Sequence, residues 1–332
     1  MALDKVLLAR ARTALEERRR QREREHESRL EQVYARNPRV RELDRRLRET
    51  MTDAVRLALE SGGDPTRALE EIRDENLDLQ SERLQEIMAA GFPPDYLDDE
   101  FFCKKCRDTG YDGTRYCSCL TDLYRAEQKK ELSSLLKLGE ETFDSFELKW
   151  YDEATDPALG ISPREHMEFV YETCVVYARK FGERSTNLFF SGPTGLGKTF
   201  LSACIARVVA DRGFSVVYDT ASAVMARFEE AHFDRGADPD ASRQDVRRYL
   251  EADLLILDDL GTEFTTSFTV SALYELINTR LVGGKKTIIN SNLTMEELRA
   301  RYSPQIVSRL EGEYQLLRFC GRDIRLLKNE AR

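Results

Sequence analysis

A glycine-rich stretch, GPTGLGKT, has the spacing of a loop that holds nucleotide phosphates. It fits the pattern G-x-x-x-x-G-K-[ST] and lies between the apolar strand pattern NLFF and a segment of helical periodicity. Glycines let the backbone N–H groups turn inward toward phosphates, and the start of the following helix adds a positive dipole end. The loop consists of Gly192, Pro193, Thr194, Gly195, Leu196, Gly197, Lys198 and Thr199.

The last two loop residues carry the specific chemistry. Lys198 supplies a cation for the β- and γ-phosphates, and the hydroxyl of Thr199 is placed to ligate Mg²⁺. The alternative is a turn that binds nothing, but the complete motif between a strand and a helix argues against it. We therefore expect ATP and Mg²⁺ as cofactors.

A pair of acids follows a second apolar run. Leu254 to Leu257 end in Asp258 and Asp259, and a buried strand of a parallel sheet presents its carboxyl end to the ligand crevice. Asp258 would hold Mg²⁺ directly or through water, whereas Asp259 would polarise the attacking water, because a carboxylate bound to metal is a poor base. The alternative is a pair of surface turn acids.

Four cysteines fall within 17 positions. The spacing C-x-x-C, ten residues, then C-x-C predicts a closed, structural Zn²⁺ site of four thiolates, with a redox or iron–sulfur role as the alternative. Gly110 and Gly113 lie in the connecting loop and permit the reversal that brings the two pairs together. The expected ligands are Cys103, Cys106, Cys117 and Cys119. Core positions are expected for Cys174, Cys204 and Cys320.

Composition limits the possible classes of function. The chain has 332 residues, 41% hydrophobic and 33% charged, with a net charge of −9. No apolar run approaches the length of a membrane span, and no signal peptide is evident, which predicts a cytoplasmic protein without a membrane partner. Residues 1–48 contain 15 Lys and Arg against 9 Asp and Glu, a local charge of +6. The net charge of −9 argues against indiscriminate binding of nucleic acid, despite this local positive charge.

Three regions are predicted along the chain. Residues 1–92 form a helical arm: helical patterning to about residue 60 includes the stripe Val40, Leu43 and Leu47, and a second helix follows. Residues 93–135 contain the cysteine segment. Residues 136–332 alternate between helix and strand, and five predicted strands with intervening helices imply an α/β domain with a parallel sheet.

The combined motifs resemble the bacterial helicase loaders of the DnaC and DnaI type, within the AAA+ ATPases. The matching stretches are CKKCRDTGY, NLFFSGPTGLGKTFLSACIA, LLILDDLGTE, TIINSNLTMEEL, RYSPQIVSRL and FCGRDIRL. The resemblance implies an AAA+ P-loop core with a five-stranded parallel sheet, preceded by the arm and zinc segment and lacking a C-terminal helical lid. Since Glu usually occupies the second acidic position in this class, Asp259 predicts slow turnover.

The resemblance also implies roles for residues that no local pattern marks. Asn292 corresponds to the polar sensor that orients the hydrolytic water, and its amide can both donate and accept. Arg309 corresponds to an arginine finger that reaches the nucleotide of a neighbouring subunit, which implies a homo-oligomer. Arg325 matches a second sensor loosely, with Arg322 as a competitor. A turn-forming Asn and a surface arginine are the plainer alternatives for the first two.

The expected function is an ATPase that loads a replicative hexameric helicase onto single-stranded DNA, with the arm engaging the helicase. The surface around SAVMARFEEAHF is the expected DNA contact, where the available cations are Arg227, Arg243, Arg247 and Arg248. Two alternatives remain open: an ATPase of the IstB type that regulates transposition, and a zinc-dependent adaptor that binds ATP with little turnover.

Overall fold

The computed structural model describes residues 4–60, 66–136, 141–157, 160–233 and 239–330. Two compact units divide the chain: residues 1–11 together with 121–332, and residues 12–120. The functional division at residues 92 and 135 stays a prediction. Within the described ranges, no helix combines the length and apolar character needed to cross a membrane.

Residues 12–120 contain the arm and the cysteine segment. The helices are α1 (Lys5–Arg36), α2 (Pro38–Glu60) and α3 (Thr66–Ala89), followed by a hairpin of β1 (Tyr111–Asp112) and β2 (Arg115–Tyr116). A small core of Val33, Val40, Ile87 and Leu97 holds the arm together. Val40 and Leu43 of the predicted apolar stripe are fully buried, whereas Met51 and Val55, which continue that stripe in the sequence, lie outside the described side chains.

The expected helical run to residue 60 is interrupted once. Asn37 separates α1 from α2, and its Oδ1 accepts the backbone N–H of Arg39 at 3.1 Å. Pro38 then begins α2, a position where its missing N–H costs nothing. The sequence NPR therefore ends one helix and caps the next, which the periodicity alone did not reveal.

The larger unit is built around five strands. They are β3 (Asn187–Ser191), β4 (Val216–Thr220), β5 (Leu254–Leu260), β6 (Lys286–Ser291) and β7 (Tyr314–Arg318). The helices are α4 (Ser118–Leu136), α5 (Pro163–Lys180), α6 (Lys198–Asp211), α7 (Ala221–Phe233), α8 (Pro239–Glu251), α9 (Ser267–Val282), α10 (Met295–Arg301), α11 (Pro304–Glu313) and α12 (Ile324–Glu330).

The sheet has the order β4-β5-β6-β3-β7, and every pairing is parallel. Side chains alternate between its faces: Leu254 and Ile256 pack into one core, whereas Leu255 and Leu257 pack into the other. Helices cover both faces, which explains why β5 is a continuous apolar run. The predicted fold class, a five-stranded parallel P-loop core after a helical region and a four-cysteine segment, is confirmed. All carboxyl ends therefore meet at one edge.

Arg280 of α9 is fully buried and connects the beginning of β6 to the end of α8. Its guanidinium donates to the carbonyl oxygens of Tyr249 and Lys286, each at 2.6 Å, and to Thr287 Oγ1 at 2.9 Å. Burial lowers the pKa of Arg280 to about 10, yet the group stays charged near neutrality. These bonds satisfy carbonyls that the end of α8 leaves open.

Replacing Arg280 with Leu should lower the free energy of unfolding of the larger unit by about 3 kcal/mol or more, since several buried acceptors lose their donor. Urea denaturation followed by circular dichroism measures the loss. Arg299→Leu is the control, because Arg299 forms an exposed ion pair with Glu311, and its loss should cost about 1 kcal/mol or less. Equal losses for both variants would contradict this role of Arg280.

Candidate nucleotide and metal sites

The glycine-rich loop connects β3 to α6 and is closed in by the C-terminal segment. A Cβ on Gly192 would lie 2.3 Å from the carbonyl oxygen of Phe319, and one on Gly195 would lie 2.0 Å from Asp323 Oδ1. Both glycines also have positive φ angles, +147° and +79°. The motif therefore requires glycine at these positions for close approach as well as for backbone conformation.

Lys198 lies at the first position of α6 and is 7% exposed. Its Nζ donates to the carbonyl oxygens of Gly192 at 2.6 Å and Pro193 at 2.7 Å. Burial lowers the pKa of Lys198, and the charges of Asp259 and Asp258 oppose that shift. The ammonium group is thus held within the loop beside two acids, where a phosphate could replace the carbonyls as its acceptor.

The acidic pair lies in a bulge at the end of β5. The register against β6 shifts between Leu257 and Leu260, and Asp259 adopts a left-handed conformation with φ of 54°. Asp258 is 4% exposed, whereas Asp259 is exposed. Desolvation, and then the neighbouring charge of Asp258, raise the pKa of Asp259. A bulge redirects side chains, so the two carboxylates face different surroundings, one internal and one in the cleft.

Asp258 is surrounded by hydrogen-bond donors. Tyr218 on β4 donates its hydroxyl to Oδ2 at 2.5 Å, and Asn290 on β6 donates from Nδ2 to Oδ1 at 2.8 Å. The backbone N–H of Asp259 also donates to Oδ1, at 2.9 Å. Burial and the charge of Asp258 raise the pKa of Tyr218 well above its usual value, so its hydroxyl keeps its proton.

A cleft of about 410 Å³ brings most of the predicted nucleotide residues together. It is lined by Thr194 to Thr199 of the loop and by Asp259, Asn292 and Arg325. Thr199, Asp259 and Asn292 place a hydroxyl, a carboxylate and an amide around the cleft, oxygen donors of the type that Mg²⁺ prefers. The residues therefore fit a Mg²⁺–nucleotide complex. Asp258 does not line the cleft, which favours contact with Mg²⁺ through water.

Two aromatic residues in the segment before α5 also line this cleft. Phe146 stacks on Tyr171 with ring centroids 5.5 Å apart, and Trp150 donates from its indole nitrogen to Glu147 at 2.8 Å. The sequence motifs assigned no role to this segment. Its signal was compositional: FDSFELKWY concentrates aromatic residues, including the chain's one Trp, in a region with no strand or helix pattern.

The two competing arginines occupy different positions. Arg325 lines the cleft, where its charge opposes the raised pKa of Asp259 and adds to the effect of burial that lowers the pKa of Lys198. Arg322 instead makes a two-pronged contact with Asp152, at 3.1 and 3.0 Å. The geometry therefore favours Arg325 over Arg322 as a nucleotide contact.

Arg309 does not line the cleft of its own chain. Its guanidinium donates to Asn278 Oδ1 at 2.9 Å and to the hydroxyl of Tyr274 at 3.0 Å, and it lies 4.7 Å from the centre of the Tyr274 ring. These contacts hold the side chain against α9. A finger acting on a neighbouring subunit would have to present its guanidinium from this position, so that role stays a prediction.

The four clustered cysteines converge as their spacing predicts. Their sulfur atoms all lie within 4.8 Å of one another; Cys103 and Cys117 are 3.7 Å apart, and Cys106 and Cys119 are 3.4 Å apart. Four sulfurs bound at about 2.3 Å to one Zn²⁺ would be separated by roughly 3.8 Å, so the cluster fits that metal. Burial opposes ionisation of Cys106, but the N–H of Gly110 and neighbouring thiols outweigh it and lower its pKa to about 7.

A buried aspartate braces the cysteine loop. Asp108 Oδ1 accepts the backbone N–H of Cys103 at 2.8 Å, and its Oδ2 pairs with Arg22 of α1 at 3.1 Å. Asp108 adopts a left-handed conformation with φ of 61°, as does Arg107 with φ of 48°. Of the other cysteines, Cys174 and Cys204 are buried, as expected of core residues, and Cys320 is half-buried.

Three of the four basic residues expected to contact DNA are paired with acids. Arg248 contacts Asp4 and Glu131, each at 2.5 Å, within the larger unit. Arg227 pairs with Glu230, and Arg247 pairs with Glu251. A DNA phosphate would have to replace these carboxylates, which weakens the expectation of a ready-made phosphate surface here. Arg248 contributes to anchoring the start of α1 instead.

Comparison with known proteins finds similarity in the region of the candidate cleft. Residues 175–308 match the family described as IstB-like ATP binding protein. An ATP-binding protein of an insertion sequence in Mycobacterium tuberculosis is 31% identical over 115 residues, 35% of this chain and 44% of that protein. The ATP-binding protein of insertion sequence IS1162 in Pseudomonas fluorescens is 29% identical over 107 residues, 32% and 44% respectively.

Among solved structures, the DnaC helicase loader aligns with a TM-score of 0.44 and 20% identity, covering 54% of this chain and 97% of that one. The chain spans less than half the length of the two curated relatives named above. The similarity is therefore limited to part of each relative, and the activity and partners of the whole protein require separate argument.

The cysteine cluster predicts a measurable metal content. The purified chain should contain one Zn²⁺, and Cys106→Ser should lose most of it, because three thiolates no longer close a tetrahedral site. Inductively coupled plasma mass spectrometry measures the metal, and Cys320→Ser should keep it. Iron with visible absorption in the wild type would support the iron–sulfur alternative instead.

Proposed function

We propose that the protein is an ATPase that uses nucleotide binding and hydrolysis to act on DNA-associated partners in the cytoplasm. One observation carries this proposal: a single cleft gathers the glycine-rich loop, Asp259, Asn292 and Arg325 around the buried ammonium of Lys198. These groups come from separate strand ends, and each has chemistry suited to a triphosphate and its attacking water. The match of residues 175–308 to the IstB-like ATP-binding family supports ATP as the nucleotide.

The residues divide the chemistry between them. The loop N–H groups and Lys198 bind and orient the phosphates, while Asp259, with its raised pKa, accepts a hydrogen bond from the attacking water and aligns it. Asn292 lies in the same cleft and can hold that water from a second direction. Bound Mg²⁺, held by Thr199 and through water by Asp258, would neutralise developing charge on the phosphates.

The base of the nucleotide would occupy the aromatic end of the cleft. Phe146, Trp150 and Ile324 supply apolar surface there, and Phe146 is fixed by its stack on Tyr171. Flat rings of this kind pack against a purine face. Arg309 would complete the site of an adjoining subunit, so turnover would be faster in the assembled homo-oligomer than in the isolated chain.

Two substitutions separate binding from hydrolysis. Lys198→Ala should weaken ATP binding and reduce turnover at least about 100-fold, since the cation for the β- and γ-phosphates is lost. Asp259→Asn should keep ATP binding within about twofold, because Asn also tolerates the left-handed backbone at this position. It should still reduce turnover about 100-fold, because an amide accepts a hydrogen bond from the attacking water more weakly than a carboxylate does. Fluorescence of Trp150 reports binding, and phosphate release reports turnover.

Lys285→Ala is the matched control for the lysine substitution. Lys285 forms an ion pair with Asp253 at 2.9 Å and does not line the cleft. This variant should bind and hydrolyse ATP like the wild type. Turnover that persists in Lys198→Ala would contradict the ATPase assignment.

We further propose that the ATPase loads a replicative hexameric helicase onto single-stranded DNA. The arm supports this role, because α3 carries Leu77, Leu84 and Met88 on one exposed stripe at helical spacing. Such a stripe is suited to packing against a partner helix. The second candidate is regulation of transposition, which the insertion-sequence relatives favour.

Capture experiments distinguish the two candidates. The full chain with ATP should retain the hexameric helicase of the same organism, and Leu84→Glu should reduce retention at least about tenfold, since a charge would enter the apolar contact. Gln85→Glu introduces the same residue at the adjacent exposed position and should retain the helicase. Retention of a transposase without the helicase would support the transposition role.

A further inference from the structure

The carboxylate of Asp258 is clamped between two neighbouring strands. Tyr218 on β4 and Asn290 on β6 flank β5, and their side chains contact opposite oxygens of that carboxylate. Tyr218 is 4% exposed and Asn290 is fully buried. Both side-chain donors are neutral groups, and together they fix the position of the carboxyl group.

Asn290 also reaches the helix that carries Thr199. Its Nδ2 donates to Ser202 Oγ at 2.9 Å as well as to Asp258, and Ser202 Oγ in turn donates to the backbone oxygen of Thr199 at 3.0 Å. One amide group thus connects the first turn of α6 to the acid on β5. The relative positions of the Thr199 turn and the Asp258 carboxylate depend on this connection.

We propose that Tyr218 and Asn290 are positioning residues for the magnesium–nucleotide complex, which set the direction of the Asp258 carboxylate relative to Thr199. This inference rests on the proposed ATPase function and adds to it two residues outside the glycine-rich loop and the acidic pair. Neither residue lines the cleft, so neither is a catalytic residue; both act through Asp258. Loss of outer-shell hydrogen bonds around a metal site commonly weakens metal binding about 10- to 100-fold.

The structure supplies a matched control for the loss of the tyrosine hydroxyl. Tyr249 of α8 is 5% exposed and donates its hydroxyl to Asp219 Oδ2 at 2.7 Å. Tyr249→Phe and Tyr218→Phe therefore each remove one buried hydroxyl from one carboxylate. Of the two carboxylates, Asp258 is the one that lies next to Asp259, which lines the cleft.

The test titrates MgCl₂ against protein and ATP, with Trp150 fluorescence for binding and phosphate release for turnover. Tyr218→Phe should raise the Mg²⁺ concentration at half-maximal response about tenfold or more in both readouts. Its ATP affinity in EDTA should stay within about twofold of the wild type, because the loop and Lys198 are unchanged. Asn290→Leu should shift the Mg²⁺ dependence in the same direction, and Tyr249→Phe should leave it unchanged.

Thermal denaturation of each variant separates positioning from general stability. If Tyr218→Phe and Tyr249→Phe lower the melting temperature alike and need the same Mg²⁺ concentration as the wild type, the positioning role is overturned. If the wild type binds no ATP by Trp150 fluorescence or calorimetry, the proposed ATPase function fails and this inference fails with it. If the wild type responds to ATP and Mg²⁺ but Tyr218→Phe has the same Mg²⁺ dependence as the wild type, only the positioning role is overturned and the proposed ATPase function stands.

Discussion

The candidate site depends on the burial of one negative charge at the end of β5. Removing a carboxylate from water is costly unless hydrogen bonds and opposite charge replace the lost solvation. Around Asp258, three neutral donors replace part of that solvation. The remaining electrostatic demand is met by the nearby cation of Lys198 and, in the proposed complex, by Mg²⁺. The sheet thus creates a place where a divalent cation is stabilised by the fold itself.

The bulge in β5 explains how adjacent acids can do different work. In a regular strand, Asp258 and Asp259 would point to opposite faces of the sheet and only one could serve the crevice. The register shift and the left-handed conformation of Asp259 carry its carboxylate into the cleft while Asp258 stays inside. Asp tolerates this conformation better than most residues, because its short polar side chain can form local hydrogen bonds. Backbone strain at this point is therefore coupled to function.

Local patterns predicted the parts of the fold that local physics determines. The five strands follow from apolar runs such as Leu254 to Leu257, and the phosphate loop follows from glycines with fixed spacing. The bulge, the Tyr218–Asp258–Asn290 contacts and the place of Trp150 in the cleft depend on chain segments that meet only after folding. The pairing of Arg248 with Asp4 joins residues 244 positions apart, which no window of sequence can reveal. The sequence predicted cations available for phosphates around α8, whereas Arg227, Arg247 and Arg248 each pair with a carboxylate in the structure.

The nucleotide cleft and the exposed apolar stripe belong to different compact units. Residues 121–332 contain every group of the nucleotide cleft, while residues 12–120 contain the cysteine cluster and the exposed stripe of α3. Asp108 and Arg22 fasten the cysteine loop to α1, so metal binding would stiffen the arm that presents this stripe. In the proposed function, an ATPase domain similar to part of the insertion-sequence proteins would acquire its particular partner through the segment that precedes it. Specificity for a helicase or a transposase is therefore expected to reside in the arm, and the cleft supplies the common nucleotide cycle.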